Sequence, residues 1–66
     1  MAGQIKQLID QIILEKSKGN AAIAASTRTK LILKGINVPQ YTDTTPDDEK
    51  VIEKVRRAAI EMGITL

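Results

Sequence analysis

In the segment GQIKQLIDQIILEKSKG, Ile5, Leu8, Ile9, Ile12 and Ile13 fall at i, i+3, i+4, i+7 and i+8. That spacing gathers the aliphatic side chains on one side of an α-helix and does not match a strand, whose period is two. A helix with one apolar side must bury it against another element. Lys6 and Asp10, four apart, predict an exposed pair on the other side. Lys16 and Lys18 sit in the last turn, where cations favour the negative end of the helix dipole. Gly19 supplies the left-handed residue that ends a helix. The first helix is expected over residues 3–18.

Asn20 is a good N-cap for a second helix over residues 20–34, ending at Gly35. Its buried side is expected to collect Ala21, Ala24, Ala25, Arg28, Leu31, Ile32, Gly35 and Ile36. Arg28 in the middle of that stripe is expected to snorkel over the alanines or to pair with a loop aspartate. The β-branched, hydroxyl-rich run Ser26-Thr27-Arg28-Thr29 weakens helix propensity. A break at residues 26–29, or a short strand at residues 31–33, is therefore the alternative.

The stretch NVPQYTDTT reads as a loop, because Pro39 interrupts a helix and Thr and Asp favour local hydrogen bonds. Val38 and Tyr41 are its expected anchors on the core. A third helix is expected over residues 46–62. Thr45 is the expected N-cap and Pro46 takes the first helical position, while Asp47, Asp48 and Glu49 load the first turn. Val51, Ile52, Val55, Ala58, Ala59 and Met62 form its apolar stripe, and Glu53–Arg57 and Arg57–Glu61 are candidate outer pairs. Gly63 ends it, with Ile64 placed for the hydrophobic contact that follows such a cap. The chain thus reads as a single all-α domain, a small three-helix fold over residues 1–66 with a Pro/Thr/Asp loop before the third helix.

Composition narrows what such a domain can do. At 66 residues, folding buries only about 60% of the unfolded surface, so the core is thin. Disulfides are impossible without cysteine, and with no histidine either, the usual zinc ligands are missing. Tyr41 is the sole aromatic, which leaves no stacking platforms for single-stranded nucleic acid. The net charge of +2 is a weak basic bias, short of the clustered excess that phosphate contacts require. No apolar run reaches the roughly 18 residues of a membrane span, and the N-terminus carries no leader pattern. A soluble, cytoplasmic protein is the expectation.

No motif for catalysis or cofactor binding stands out. Ser26, Thr27 and Thr29 have only Lys30 or Lys34 as neighbouring bases, and ordinary helix surface explains them. The acids of DTTPDDE lack the glycine and the spacing of a calcium loop, and helix capping accounts for Asp47, Asp48 and Glu49. No glycine-rich phosphate loop occurs; the start of the second helix, near Lys16 and Lys18, is a bare anion site at most. The chain is therefore expected to be no enzyme, with no cofactor, metal or small-molecule substrate.

Two surfaces remain. Thr27, Lys30 and Lys34, with Arg28 at the edge, are expected on the outer side of the second helix, where they can straddle DNA phosphates. From Leu31 onward the chain also resembles the DNA-binding headpiece of LacI-type repressors. Leu33, Gly35, Thr45, Val55, Ala59, Gly63 and Ile64 take the positions of a recognition helix ending in Leu-x-Gly, a Ser/Thr-capped third helix and a closing Gly plus apolar residue. The resemblance implies a helical DNA-binding domain. It covers about half the chain, and the family's Ala-x-x-x-Gly turn has no counterpart before Ser26, so no membership is assigned. The other surface is aliphatic. Leu14, Ile23, Leu33 and Ile60 lie off the apolar stripes. If they converge, they form a patch for a protein partner or a second copy, with Lys30 and Lys34 as rim charges; otherwise they complete the core. A non-catalytic protein-interaction or regulatory module, self-associating or not, is the favoured expectation, with DNA binding through the second helix as the alternative.

Overall fold

The structure, a computed structural model, describes residues 3–64. It contains α1 (Gln4–Ser17), α2 (Ala21–Leu33) and α3 (Glu49–Glu61), with a 3-10 turn at Val38–Gln40 and no strand among the described residues. No helix among them is long and apolar enough to cross a membrane.

The first helix is the common wall. Ile5, Ile9, Ile12 and Ile13 are buried as their spacing requires, and Leu8 is half-buried. Both α2 and α3 pack on α1. They contribute Leu31, Val55, Ala58 and Ala59 to the core, and Ile36 joins from the turn after α2. The loop is pinned by Val38 and Tyr41, both half-buried against this core.

Polar contacts fix the helix directions. The Gln4 N–H at the start of α1 donates to Asp47 Oδ1, just before α3, at 3.0 Å. At the other end, Lys16 Nζ donates to the Met62 carbonyl at 3.2 Å. Thus α1 and α3 run side by side in the same direction. From the end of α1, α2 turns a corner through Lys18 and Gly19, both left-handed. An antiparallel hairpin would return the end of α2 to the level of Asp47. Instead Lys34 reaches Glu61 and Lys54 reaches the Gly35 carbonyl.

The third helix begins later than its sequence suggests. Its N-cap is Asp48, whose side chain accepts the Lys50 N–H at 2.9 Å. Thr45, the expected cap, accepts the Thr42 N–H on its hydroxyl at 2.8 Å instead. The cause lies at the other end of the chain. Gly3 is the N-cap of α1 and has no side chain to cap with. Residues 45–47 supply what is missing: the Thr45 carbonyl accepts the Gly3 N–H at 3.0 Å, and Asp47 accepts that of Gln4. Two N–H groups that a helix start leaves unpaired are thereby satisfied from across the fold.

At its C-terminus, α2 closes as expected at Gly35, which has positive φ. The Ile36 N–H donates to the Leu31 carbonyl and the Gly35 N–H to the Ile32 carbonyl. In α3, Gly63 and Ile64 repeat this arrangement onto Ile60 and Ala59. In both cases the residue after the glycine turns back onto the core, the contact that completes this kind of cap.

The buried line of α2 is shifted by one residue from the expected stripe. Thr27 is 2% exposed and Leu31 fully buried. Arg28, Ala21, Ala25, Ile32 and Gly35 are exposed, and Ala24 is half-buried. The physical reason is that Thr27 buries its methyl while its hydroxyl donates back to the Ile23 carbonyl at 2.8 Å, so no polar group is stranded. Arg28 then needs neither to snorkel nor to pair; it makes no ion pair among the described residues. Nor does the helix break at residues 26–29, because Thr29 bonds back to Ala25 in the same way.

Of the outer pairs, Lys6–Asp10 and Glu53–Arg57 form at 2.6 and 3.1 Å. Arg57–Glu61 does not, because Glu61 is taken by Lys34 at 2.5 Å.

Gly3 and Gly19 make a controlled comparison. Both have φ near +90°, but a Cβ on Gly3 would lie 2.6 Å from the Asp43 carbonyl oxygen, whereas one on Gly19 meets nothing within 4 Å. Gly19→Ala is expected to cost about 1 kcal/mol, the ordinary left-handed penalty. Gly3→Ala should cost clearly more, because the loop must move off α1. Urea unfolding of both variants reads the difference as midpoints at unchanged m; equal midpoints would contradict this account of Gly3.

Candidate interaction surface

The four off-stripe aliphatics are all in water. Leu33 is 81% exposed, Ile60 73%, Leu14 63% and Ile23 44%. Of the four, Ile60 stands apart in one respect. Ile60 lines a groove of about 540 Å³ between α1 and α3, together with Leu8, Gln11, Arg56, Ala59 and Ile64. Leu14, Ile23 and Leu33 are not part of its wall. Leu14 points away from the core on the far side of α1. With the register corrected, Ile23 sits at the edge of the buried line of α2 rather than on its outer side.

The outer side of α2 is the less expected surface. Ala22, Ala25, Ser26, Thr29, Ile32 and Leu33 are all exposed and follow one another at helical spacing. They form a second, outward stripe, parallel to the inner line of Ala24, Thr27 and Leu31. Most surface helices are apolar on one side only; one that is apolar on both sides has an unburied face. The polar groups on this outer stripe are small, and the Thr29 hydroxyl is engaged with the Ala25 carbonyl at 3.2 Å.

Charge is segregated along the chain. From residue 16 to residue 42 the chain carries Lys16, Lys18, Arg28, Lys30 and Lys34 and no acid. Every acidic residue lies at or before Glu15 or at or after Asp43. Two of these cations are occupied internally: Lys16 on the Met62 carbonyl and Lys34 on Glu61. Lys34 is therefore not a free rim charge. Lys18, Arg28 and Lys30 make no ion pair among the described residues. Because Arg28 and Lys30 are two apart, they emerge on opposite flanks of α2, with the outer stripe between them. Elsewhere, the hydrogen bond from Lys6 to Asp10, helped by the charge of Asp10, holds the Lys6 ammonium above its ordinary pKa. Lys6 also lies 3.8 Å from Asp43 of the loop.

The start of α2 and the acids before α3 have structural partners. The N–H groups at the start of α2 are taken, because Asn20 Oδ1 accepts those of Ala22 and Ile23 at 3.0 and 3.2 Å. Asp47 and Asp48 are capping residues on two different helices. Among the described residues no group of His, Cys, Asp or Glu is arranged to hold a metal ion.

The set expected to touch DNA is also rearranged. Thr27 is buried beneath α2 rather than on its outer side, and Lys34 is paired. Arg28 and Lys30 make no ion pair among the described residues, but they lie on opposite flanks. Thr45, matched above to the cap of a repressor-type third helix, does not cap α3. No protein-family model, no curated protein and no solved structure matches the chain.

A sequence pattern with one apolar side does not single out this outer stripe. The acid-free run from residue 16 to residue 42 was legible in the sequence, but the small net charge concealed it.

Thr27 separates the two registers of α2 experimentally. Thr27→Val should leave stability within about 1 kcal/mol, since the Ile23 carbonyl keeps its helical hydrogen bond. Thr27→Ser should lose about 1 kcal/mol for the buried methyl, and Arg28→Ala should stay within about 0.5 kcal/mol. Thermal or urea unfolding checks all three. A Thr27→Ser change without cost, with a costly Arg28→Ala, would restore the register in which Arg28 faces the core.

Proposed function

We propose that this chain is a non-catalytic interaction module whose contact face is the outer side of α2. The observation that carries this reading is the second apolar stripe, from Ala22 to Leu33, on a helix whose inner line already serves the core. In a domain with so thin a core, aliphatic side chains left in water gain from being covered by another protein or by a second copy. Leu33 and Ile32 are the central hydrophobic contacts, Ile23 lies at the edge, and Lys30 is a rim charge. Leu14 and Ile60 belong to other surfaces, so a partner on α2 does not need them. A cytoplasmic setting is part of the proposal, on the strength of a chain with no cysteine.

DNA binding through α2 is the second reading. It is supported by Arg28 and Lys30, which make no ion pair among the described residues and stand in an acid-free stretch, and weakened by the loss of Thr27 and Lys34 from the contact set.

Sedimentation velocity and affinity capture from lysate test the module reading, with Leu33→Glu and Ile32→Glu beside the parent chain. The parent should sediment as a dimer or retain a specific protein. Either variant should lose that behaviour while its circular dichroism is unchanged. A monomer at high concentration that retains nothing specific would remove this reading. For the alternative, gel retardation of duplex DNA should be visible at low salt and collapse between about 50 and 200 mM; no retardation at low salt eliminates it.

A further inference from the structure

The proposal above leaves open what chemistry the partner of α2 presents. The stripe from Ala22 to Leu33 is narrow and graded: Ala22, Ala25, Ser26 and Thr29 are small, and Ile32 and Leu33 at its C-terminal end are large. Arg28 bounds it on one flank and Lys30 on the other, both without an ion pair among the described residues. An occupant therefore has to offer an apolar strip to the middle and carboxylates or other anions to both edges at once.

Three occupants can be weighed on those terms. A second copy packed α2 against α2 would bring Arg28 and Lys30 of each copy together with no acid between residues 16 and 42 to offset them; like charges at such a contact are unfavourable. DNA phosphates would satisfy both cations but leave Ile32 and Leu33 against a polar backbone. An anionic bilayer would satisfy cations and aliphatics alike, but surface-binding helices typically insert aromatic or bulky anchors along their length. Here the N-terminal half of the stripe is alanine and serine, and the only aromatic, Tyr41, is half-buried in the loop. Small side chains are what an approaching helix requires. They let two helix axes come within about 8–10 Å, with the bulky pair filling the wider end.

From this charge pattern and shape we infer that the outer stripe of α2 docks an amphipathic acidic helix of a partner protein, its aliphatic residues over Ala25, Thr29 and Leu33 and its carboxylates reaching Arg28 on one side and Lys30 on the other. This rests on the module reading and specifies the partner class.

The test is selection from a displayed library of helical peptides against the intact folded chain, with an Arg28→Glu/Lys30→Glu variant as the counter-target. Enriched peptides should combine Leu or Ile at i, i+3, i+4 and i+7 with flanking Asp or Glu. A labelled winner, measured by fluorescence anisotropy, should weaken about tenfold or more on the double variant and on Leu33→Ser. Replacing its acids with lysine should restore binding to the double variant, a swap that a merely structural role for Arg28 and Lys30 would not produce. Unchanged circular dichroism keeps the comparison on binding. Enriched peptides without acids, or peptides indifferent to Arg28, Lys30 and Leu33, would overturn this inference while leaving the module reading standing. Binding of phosphatidylserine vesicles or duplex DNA through Arg28 and Lys30, with no acidic peptide enriched, would overturn it in favour of those ligands. No enrichment, no captured protein and a monomeric chain together would remove the inference and the module reading alike.

Discussion

Ile5, Ile9, Ile12 and Ile13 on α1 are the one apolar wall that every other part of the structure leans on. Both remaining helices pack on α1. Neither α2 nor α3 brings a comparable stripe: α2 buries Thr27 and Leu31, and α3 buries Val55, Ala58 and Ala59. Small residues on α3 facing large ones on α1 let the two parallel helices sit close, a packing in which volumes complement across the contact. Each isoleucine thereby serves more than one neighbour. In a domain of this size, whose total stability is on the order of a few kcal/mol to about 10 kcal/mol, one such side chain is a large fraction of it.

With so little apolar area, the backbone ends matter in proportion. Each helix start and finish exposes N–H and C=O groups that need partners. Here the loop answers for the start of α1 through Thr45 and Asp47, Asn20 and Asp48 cap α2 and α3, and Gly35 and Gly63 close the far ends. Lysines add to this: Lys54 and Lys16 bind carbonyls at the ends of α2 and α3, where a positive charge also meets the negative end of the helix dipole. No buried side-chain nitrogen or oxygen among the described residues lacks a partner. The loop from Tyr41 to Asp48, which looks like a spacer, is therefore a structural part of α1.

What the sequence made legible follows from how local each signal is. The periodicity of α1, the glycine stops at Gly35 and Gly63, the Asn20 cap and the pairs Lys6–Asp10 and Glu53–Arg57 depend on residues within a few positions of one another, and all appear in the structure. The start of α3 differs from the Thr45 that local signals favour, because residues 45–47 are engaged at the distant start of α1, at the uncapped Gly3. The register of α2 failed for a different reason. Arg28 was assigned to the core because alanines flanked it, whereas threonine proved the better buried residue once its hydroxyl could return to the Ile23 carbonyl. Hydropathy rates Thr27 as polar and cannot register that bond. The off-stripe positions of Leu14, Leu33 and Ile60 were visible in the sequence, but whether they meet is a property of the packing.

The double stripe of α2 sets up a tension between folding and solubility. Ile32 and Leu33 cost the folded state little, since they are exposed in the unfolded chain too, yet together they invite association. The cations flanking them resolve part of this. Arg28 and Lys30 keep water and charge beside the stripe, and in an acid-free stretch they make a copy of the same surface a poor partner. On the reading proposed above, a surface that is apolar in the middle and cationic at its edges selects for something unlike itself. Lys34, bound to Glu61, links the end of α2 to α3. On the reading proposed above, a partner meets side chains on an already folded helix, so the cost of ordering that backbone is met in folding.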